Sequence, residues 1–187
     1  MTSPTPTPGP ADDAPVSSIA DSSSAAPVSA PPISTAPTVP EAGPLAPDAL
    51  AALQSALAAE QAAVWAYGLV AAYARDQAAM IAEARSGHLL RRDATTARLV
   101  QGGATAPEPA AAYQVSVAVT DQATALTLAQ DIETDAAAAW RVVIGSTDDA
   151  ELRGFALAGL SDAAVRLAMW KQVAGASPTT IPFPGAS

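Results

Sequence analysis

The sequence predicts an all-α protein built from four long helices. Twelve of the 17 prolines lie in residues 1–47, and no proline interrupts residues 48–106 or 110–177. Each of these two proline-free blocks is long enough for a pair of helices. The chain is also rich in Ala and poor in aromatic residues. Because Ala has the highest helix propensity, this composition favours helices that approach each other closely.

The first part of the chain differs in composition from the rest. Residues 1–46 are dominated by Pro, Ser, Thr and Ala, and they contain four acidic residues and no basic residue. They have few large apolar side chains with which to offset the entropy of an ordered chain. We therefore predict a disordered tail over residues 1–46 and one helical domain over residues 47–187.

Start and stop signals divide each block into two helices. The predicted helices span about residues 48–74, 76–101, 120–144 and 147–174. Glycines follow the last turns of the second and fourth helices and end the third. Thr120 and Thr147 are the predicted N-caps, and Asp148 with Glu151 is a candidate capping box.

A long connection separates the two helix pairs. Residues 102–119 contain two prolines and exceed the roughly 2–8 residues of ordinary helix–helix loops. The stretch Q-V-S-V-A-V over residues 114–119 alternates like a strand, but no second strand accompanies it, so we predict an extended crossover. A helix pair, a long crossover and a second helix pair is the ferritin-like arrangement of a four-helix bundle.

Composition also limits the class of function. The chain has no Cys, which excludes disulfides and thiolate sites, and its net charge of −9 argues against a surface that binds nucleic acid. Residues 61–74, the longest uncharged stretch outside the proline-rich segments, are too few to span a bilayer, which takes about 20 residues. Residues 1–20 lack the features of a secretory signal. We expect a cytoplasmic protein with no nucleic-acid or membrane partner.

Charged residues lie on the apolar stripe of every predicted helix. Glu60 continues a run of apolar residues spaced three and four apart on the first helix, and His88 shares a face of the second with Arg91. On the third helix Glu133 and Asp135 lie on neighbouring stripes, and either acid can point inward. The predicted polar core layer comprises Glu60, His88, Arg91, Glu133, Asp135, Asp162 and Arg166.

This layer has two main interpretations. A di-iron bundle needs a Glu from each of two helices and a Glu-x-x-His from each of the other two, yet the chain has a single His, preceded three residues earlier by Arg85. Any metal set would reduce to Glu60, His88 and Glu133, beside arginines that repel a cation. We favour a structural ion network, because buried charges must be paired. Metal binding and catalytic acid–base use remain the alternatives.

No motif in the chain indicates catalysis. There is no G-x-S-x-G sequence and no Gly-rich phosphate loop, so we predict no catalytic residue and no cofactor. Three tryptophans at helical spacing indicate core packing or a dimer contact, and an Ala-rich face with exposed Trp predicts a homodimer. Ligand binding between the helices is a further possibility. The I-P-F-P-G end (181–185) is expected to fold back over the bundle, anchored by Phe183.

Several short motifs in fixed order carry a family resemblance. They are A-L-A-A-E-Q-A-A-V-W-A-Y-G (56–68), H-L-L-R-R-D (88–93), V-T-D (119–121), D-I-E-T-D-A-A-A-A-W-R (131–141), A-A-V-R-L-A-M-W (163–170) and F-P-G (183–185). Over about residues 47–185 the chain resembles the ferritin-like domain of unknown function found in high-GC Gram-positive bacteria.

The resemblance implies a ferritin-like bundle and no established activity. The recurring charged positions of that family map onto Glu60, His88, Arg91, Asp93, Glu133 and Arg166. A His follows the first-helix Glu in the family pattern, and here that position is Gln61, which removes a potential ligand. We therefore predict a non-catalytic structural or interaction module, with a degenerate metal-binding ferritin relative that oxidises or stores iron as the alternative.

Overall fold

The computed structural model of the chain describes residues 43–186. Its helices are α1 (Pro47–Tyr73), α2 (Ala78–Gln101), α3 (Gln122–Gly145) and α4 (Ala150–Val173). The all-α prediction is confirmed, since residues 43–186 contain four long helices and no strand. None of these helices is long and apolar enough to cross a membrane. Disorder was predicted for residues 1–46, of which residues 1–42 lie outside the described part of the chain.

The first two helices form a hairpin. α1 begins at Pro47, a position where the fixed φ of proline suits a helix and its missing N–H leaves no intrahelical hydrogen bond unmade. One 3₁₀ turn, Arg75–Gln77, connects α1 to α2. α2 ends at Gln101, and Gly103 follows in the left-handed conformation, with φ of 79°. Glycine adopts this conformation without the steric cost of a Cβ, so the pair Gly102-Gly103 stops the helix as predicted.

The N-caps of α3 and α4 are aspartates, and the prediction of threonine caps was wrong. Asp121 accepts a hydrogen bond from the backbone N–H of Thr124 at 2.8 Å, and the Thr124 hydroxyl accepts from the backbone N–H of Asp121, which completes a capping box. Asp149 caps α4 by accepting from the N–H groups of the second and third helical residues. Thr147 instead accepts from the N–H of Asp149, so its hydroxyl orders the turn before the helix.

The connection from α2 to α3 crosses the bundle in an extended form without a strand, as predicted. Val115, Val117 and Val119 pack against the core, which accounts for the alternating sequence pattern. Gln61 donates a hydrogen bond from Nε2 to the backbone carbonyl of Pro107 at 2.8 Å. Gln61 therefore ties α1 to the crossover.

The core divides into two large apolar clusters along the bundle axis, with a small third cluster of three alanines from α3 and α4. One cluster contains Leu53, Leu57 and Leu99, and the other contains Val70 and Ile81. Between the positions that join these clusters lie Glu60 on α1, His88 and Arg91 on α2, and Glu133 on α3. The structure therefore has a polar layer near mid-height, between two apolar halves.

Three pairs of helices pack closely, and α2 and α4 meet mainly through side chains. α1 packs on α2 and α3, and α3 packs on α4. Contacts between α2 and α4 run through arginines, with Arg91 of α2 paired to Asp162 and Arg166 of α4 covering Gly87. Two helix pairs joined by a long crossover are compatible with the ferritin-like arrangement.

The C-terminal segment folds back over α3 and α4, but its anchor is Gly185 and the prediction of Phe183 was wrong. A Cβ on Gly185 would lie 2.5 Å from the carbonyl oxygen of Ala137, so only glycine allows this approach to α3. The carbonyl of Gly185 also accepts a hydrogen bond from Arg141 at 3.3 Å. Phe183 has 80% of its surface exposed.

A candidate polar site at the bundle centre

His88 of α2 lies at the centre of the polar layer and links α1 to α3. Its Nδ1 is 2.7 Å from Oε2 of Glu60 on α1, and its Nε2 is 3.2 Å from Oε1 of Glu133 on α3. All three side chains are fully buried. A single imidazole therefore links two carboxylates that would otherwise repel each other.

The partners of His88 determine its protonation state. An ionised carboxylate only accepts hydrogen bonds, so a ring with a carboxylate at each nitrogen satisfies both contacts only when both nitrogens carry a proton. Burial alone would lower the pKa of His88, but the charges of Glu133 and Glu60 outweigh burial and raise that pKa from 6.5 to about 9. His88 is therefore an imidazolium at neutral pH.

Glu60 has two further partners on other helices. The indole Nε1 of Trp140 donates to its Oε1 at 2.6 Å, and Arg91 Nη1 lies 3.7 Å from the same oxygen. Burial acts to raise the pKa of Glu60, but His88, Arg91 and the Trp140 hydrogen bond together hold it below the ordinary value. Glu60, which interrupts an otherwise apolar stripe, therefore stays ionised in the core.

The Glu133 carboxylate accepts a hydrogen bond from a phenol, and the phenol oxygen in turn accepts one from an indole. Tyr67 donates its hydroxyl proton to Oε1 of Glu133 at 2.5 Å, and Trp170 donates to the Tyr67 oxygen at 2.8 Å. Burial and the neighbouring Glu133 carboxylate raise the pKa of Tyr67 well above its ordinary value, so the phenol remains protonated. The Tyr67 and His88 rings lie 5.5 Å apart, which places both donors on the same side of Glu133.

Two arginines complete the layer between α2 and α4. Arg91 is 4% exposed and pairs with Asp162, whose side chain is 30% exposed. Arg166 is equally buried, and its guanidinium occupies the space that a Cβ on Gly87 would fill. A Cβ at this position would therefore displace the Arg166 guanidinium. Three carboxylates, two arginines and one imidazolium leave the layer without net charge.

The structure brings six of the seven predicted residues together. The exception is Asp135, which is exposed, and its prediction as a layer residue was wrong. It lines a groove of about 210 Å³ between α1 and α3, where burial and the charge of Asp131 raise its pKa. Asp93, which the family resemblance also singled out, faces solvent and pairs with Arg92 at 2.6 Å.

The sequence reasoning missed the aromatic hydrogen-bond donors. Tyr67 and Trp140 each lie seven residues after a layer carboxylate on the same stripe, and a buried phenol or indole must find an acceptor. That spacing was the signal that could have identified them. Trp140 and Trp170 are fully buried and Trp65 packs on Tyr113, so the expected face with exposed tryptophan is absent from the described residues.

Arg98 is a second buried charge that the sequence analysis did not select. It is 1% exposed, and its Nε and Nη1 have no hydrogen-bond partner. It lies in the last turn of α2, where the carbonyl ends of the helix favour a positive charge. The buried charge of this bundle therefore includes Arg98 as well as the polar layer.

The arrangement does not fit a metal centre. Both nitrogens of His88 already face carboxylates, and the positive charges of Arg91 and of His88 itself lie where a cation would sit. Within residues 43–186 no group of three or more His, Asp or Glu side chains is arranged to hold a metal ion. The chemistry that the site does support is the burial of charge. Ion pairs join Glu60, His88, Glu133, Arg91 and Asp162, while Arg166 Nη1 and Glu133 Oε2 have no hydrogen-bond partner.

Comparison with known proteins finds a family and a solved structure to which this chain is similar. The sequence pattern of one family, described as Domain of unknown function (DUF4439), matches residues 52–187. The crystal structure of a conserved hypothetical protein, rv2844, from Mycobacterium tuberculosis is similar to this chain with 39% identity and a TM-score of 0.68. The match covers 73% of this chain and 97% of that protein. No curated protein matches the chain.

Proposed function

The chain belongs to the DUF4439 family, and we propose that it is a non-catalytic structural module that acts through contacts with other protein, first of all a second copy of itself. In this proposal the polar layer occupies the place where a ferritin would hold iron. The observation that carries it is the His88 imidazolium, which bridges Glu60 and Glu133 with both ring nitrogens.

The contacts of the layer support a structural role. Each carboxylate of Glu60 and Glu133 is held by aromatic donors as well as by His88, so the side chains have one arrangement with little room to move. A catalytic acid or base needs access to a substrate, whereas the central three residues are fully buried. Buried ion networks of this kind also specify which helices pair, because a wrong pairing would leave a charge uncompensated.

Metal analysis tests the proposal. The full chain would be purified, loaded anaerobically with Fe(II), desalted and analysed for metals, beside the same protein as isolated. We expect iron far below one atom per chain in both samples. Near-stoichiometric iron that is lost in Glu60→Ala, with the fold intact, would overturn the proposal and support the degenerate metalloprotein instead.

The stability of the same variant gives an independent result. Glu60→Ala removes one of the two carboxylates beside His88 and one of the two beside Arg91, and removing one partner of a buried ion pair costs roughly 3–5 kcal/mol. Urea denaturation measures this loss. The matched control is Glu83→Ala, which removes an exposed carboxylate from α2 and should change the free energy of unfolding by less than about 0.5 kcal/mol. Equal effects of the two variants would contradict a structural layer.

A further inference from the structure

The C-terminal segment presents a large aromatic side chain to solvent. Phe183 is 80% exposed, and its backbone has φ of 54°, in the left-handed region that bulky residues avoid. The residues on either side, Pro182 and Pro184, restrict the chain further. A glycine or asparagine would relieve the backbone strain, so the Phe side chain is not explained by its own conformation.

The turn that follows fixes the position of this ring. Ala186 donates its backbone N–H to the carbonyl of Phe183 at 3.1 Å, with Pro184 and Gly185 (φ 76°) between them, which is the residue pattern of a type II turn. Gly185 in turn lies against the backbone of Ala137 on α3. Phe183 therefore projects from a segment that is attached to the bundle on its C-terminal side.

An apolar groove borders the same segment. It has a volume of about 360 Å³ and is enclosed by α4 and the C-terminal segment, with Val165 and Ala168 on one side and Ile181 and Pro184 on the other. None of its ten lining side chains is charged. Phe183 does not line it, whereas the following residue, Pro184, does, so one short segment of the chain carries an exposed aromatic side chain and borders an open apolar groove.

We propose that Phe183 of one copy inserts into the α4 groove of a second copy, and that the second copy returns the same contact. An anchor and a groove on one surface are self-complementary about a twofold axis, which is the commonest symmetry of homodimers. Buried aromatic anchors supply much of the energy of such contacts. The lining of the groove is uncharged, so this contact brings no like charges together between two chains that each carry a net charge of −9.

This inference rests on the proposed function and names the surface through which pairing occurs. Sedimentation velocity of the full chain over a concentration series tests it. Wild type should reach twice the chain mass of 18.6 kDa, and Phe183→Ala should weaken the dimer by about 30-fold or more, as expected for the loss of an anchor residue. Leu157→Ala is the matched control, because Leu157 is exposed on α4 but does not line the groove.

A charge exchange provides the second test. Phe183→Lys and Val165→Glu should each be monomeric, because each places one charge in an apolar contact. An equimolar mixture of the two variants should form a heterodimer, since the lysine of one chain then meets the glutamate of the other. Both positions are exposed, so helical content should match wild type, and any loss of melting temperature should be only the part that the wild type gains from association.

The outcomes separate this inference from the metal-free layer. A monomeric wild type would overturn both the inference and the pairing part of the proposed function, while the metal analysis would stand. Dimers that persist in Phe183→Ala and in Val165→Glu would overturn the assigned surface alone. A mixture of the charge variants that stays monomeric would contradict direct contact between the ring and the groove.

Discussion

Raising the pH from 6.5 to above 9 should destabilise the bundle through His88 alone. The pKa of His88 is about 9 in the folded chain and 6.5 without its partners. Below pH 6.5 the imidazole is protonated in both states, and the stabilisation is fully present. Above that pH the unfolded state releases its proton first, so stability falls until the folded state has also released its own near pH 9. At 1.36 kcal/mol per unit of pKa the total loss is about 3 kcal/mol.

Urea denaturation at half-unit steps from pH 6 to 10 measures this loss. The composition of the chain suits the experiment, since it has one His and no Cys, and few other groups titrate between pH 6.5 and 9. His88→Gln should be less stable at pH 6.5 and should show no such slope, and subtracting its curve removes the α-amino group. A wild-type stability that is the same at pH 6.5 and 9.5, or a slope that His88→Gln retains, would refute the ionised layer.

Two glycines give further predictions. Gly159→Ala should destabilise the fold by about 1–3 kcal/mol, because its Cβ would lie 2.8 Å from the Trp140 ring, and Gly154→Ala on the same helix, with nothing within 4 Å, should be neutral or stabilising by up to about 1 kcal/mol. Equal thermal shifts in the two variants would contradict the close packing. Gly185→Ala should release the C-terminal segment from α3 and make it sensitive to carboxypeptidase, whereas Gly175→Ala, which adds no contact, should leave it protected.

The fold could be predicted because each signal in the sequence has one physical meaning. Proline-free blocks, a glycine after α2 and alternating valines in the crossover all specify local geometry. The capping residues could not be predicted as well, because Thr120 and Asp121 are both good N-caps and lie side by side. The choice depends on which hydroxyl or carboxylate reaches the N–H of Thr124, and only three-dimensional geometry decides that.

In the polar layer, too, some residues could be predicted from the sequence and others could not. Glu60 could be identified because it stands alone on an apolar stripe, and His88 because it lies on the buried face of α2 beside Arg91. Glu133 and Asp135 could not be separated, because the two stripes of α3 are both buried in its first half, where the crossover valines cover the helix. Beyond Ile132 the stripe that contains Asp135 becomes exposed to solvent. The cover that decides between the two acids comes from a segment distant in sequence.

The hydrogen bonds of the central layer point in one direction. An indole N–H only donates, so Trp170 fixes the Tyr67 hydroxyl as a donor to Glu133, and Trp140 fixes one oxygen of Glu60 as an acceptor. A chain of groups that passes protons must be able to reverse every bond, and these two indoles cannot reverse theirs. Protons therefore cannot be relayed along Trp170–Tyr67–Glu133, and the hydrogen bonds of these three residues have one direction.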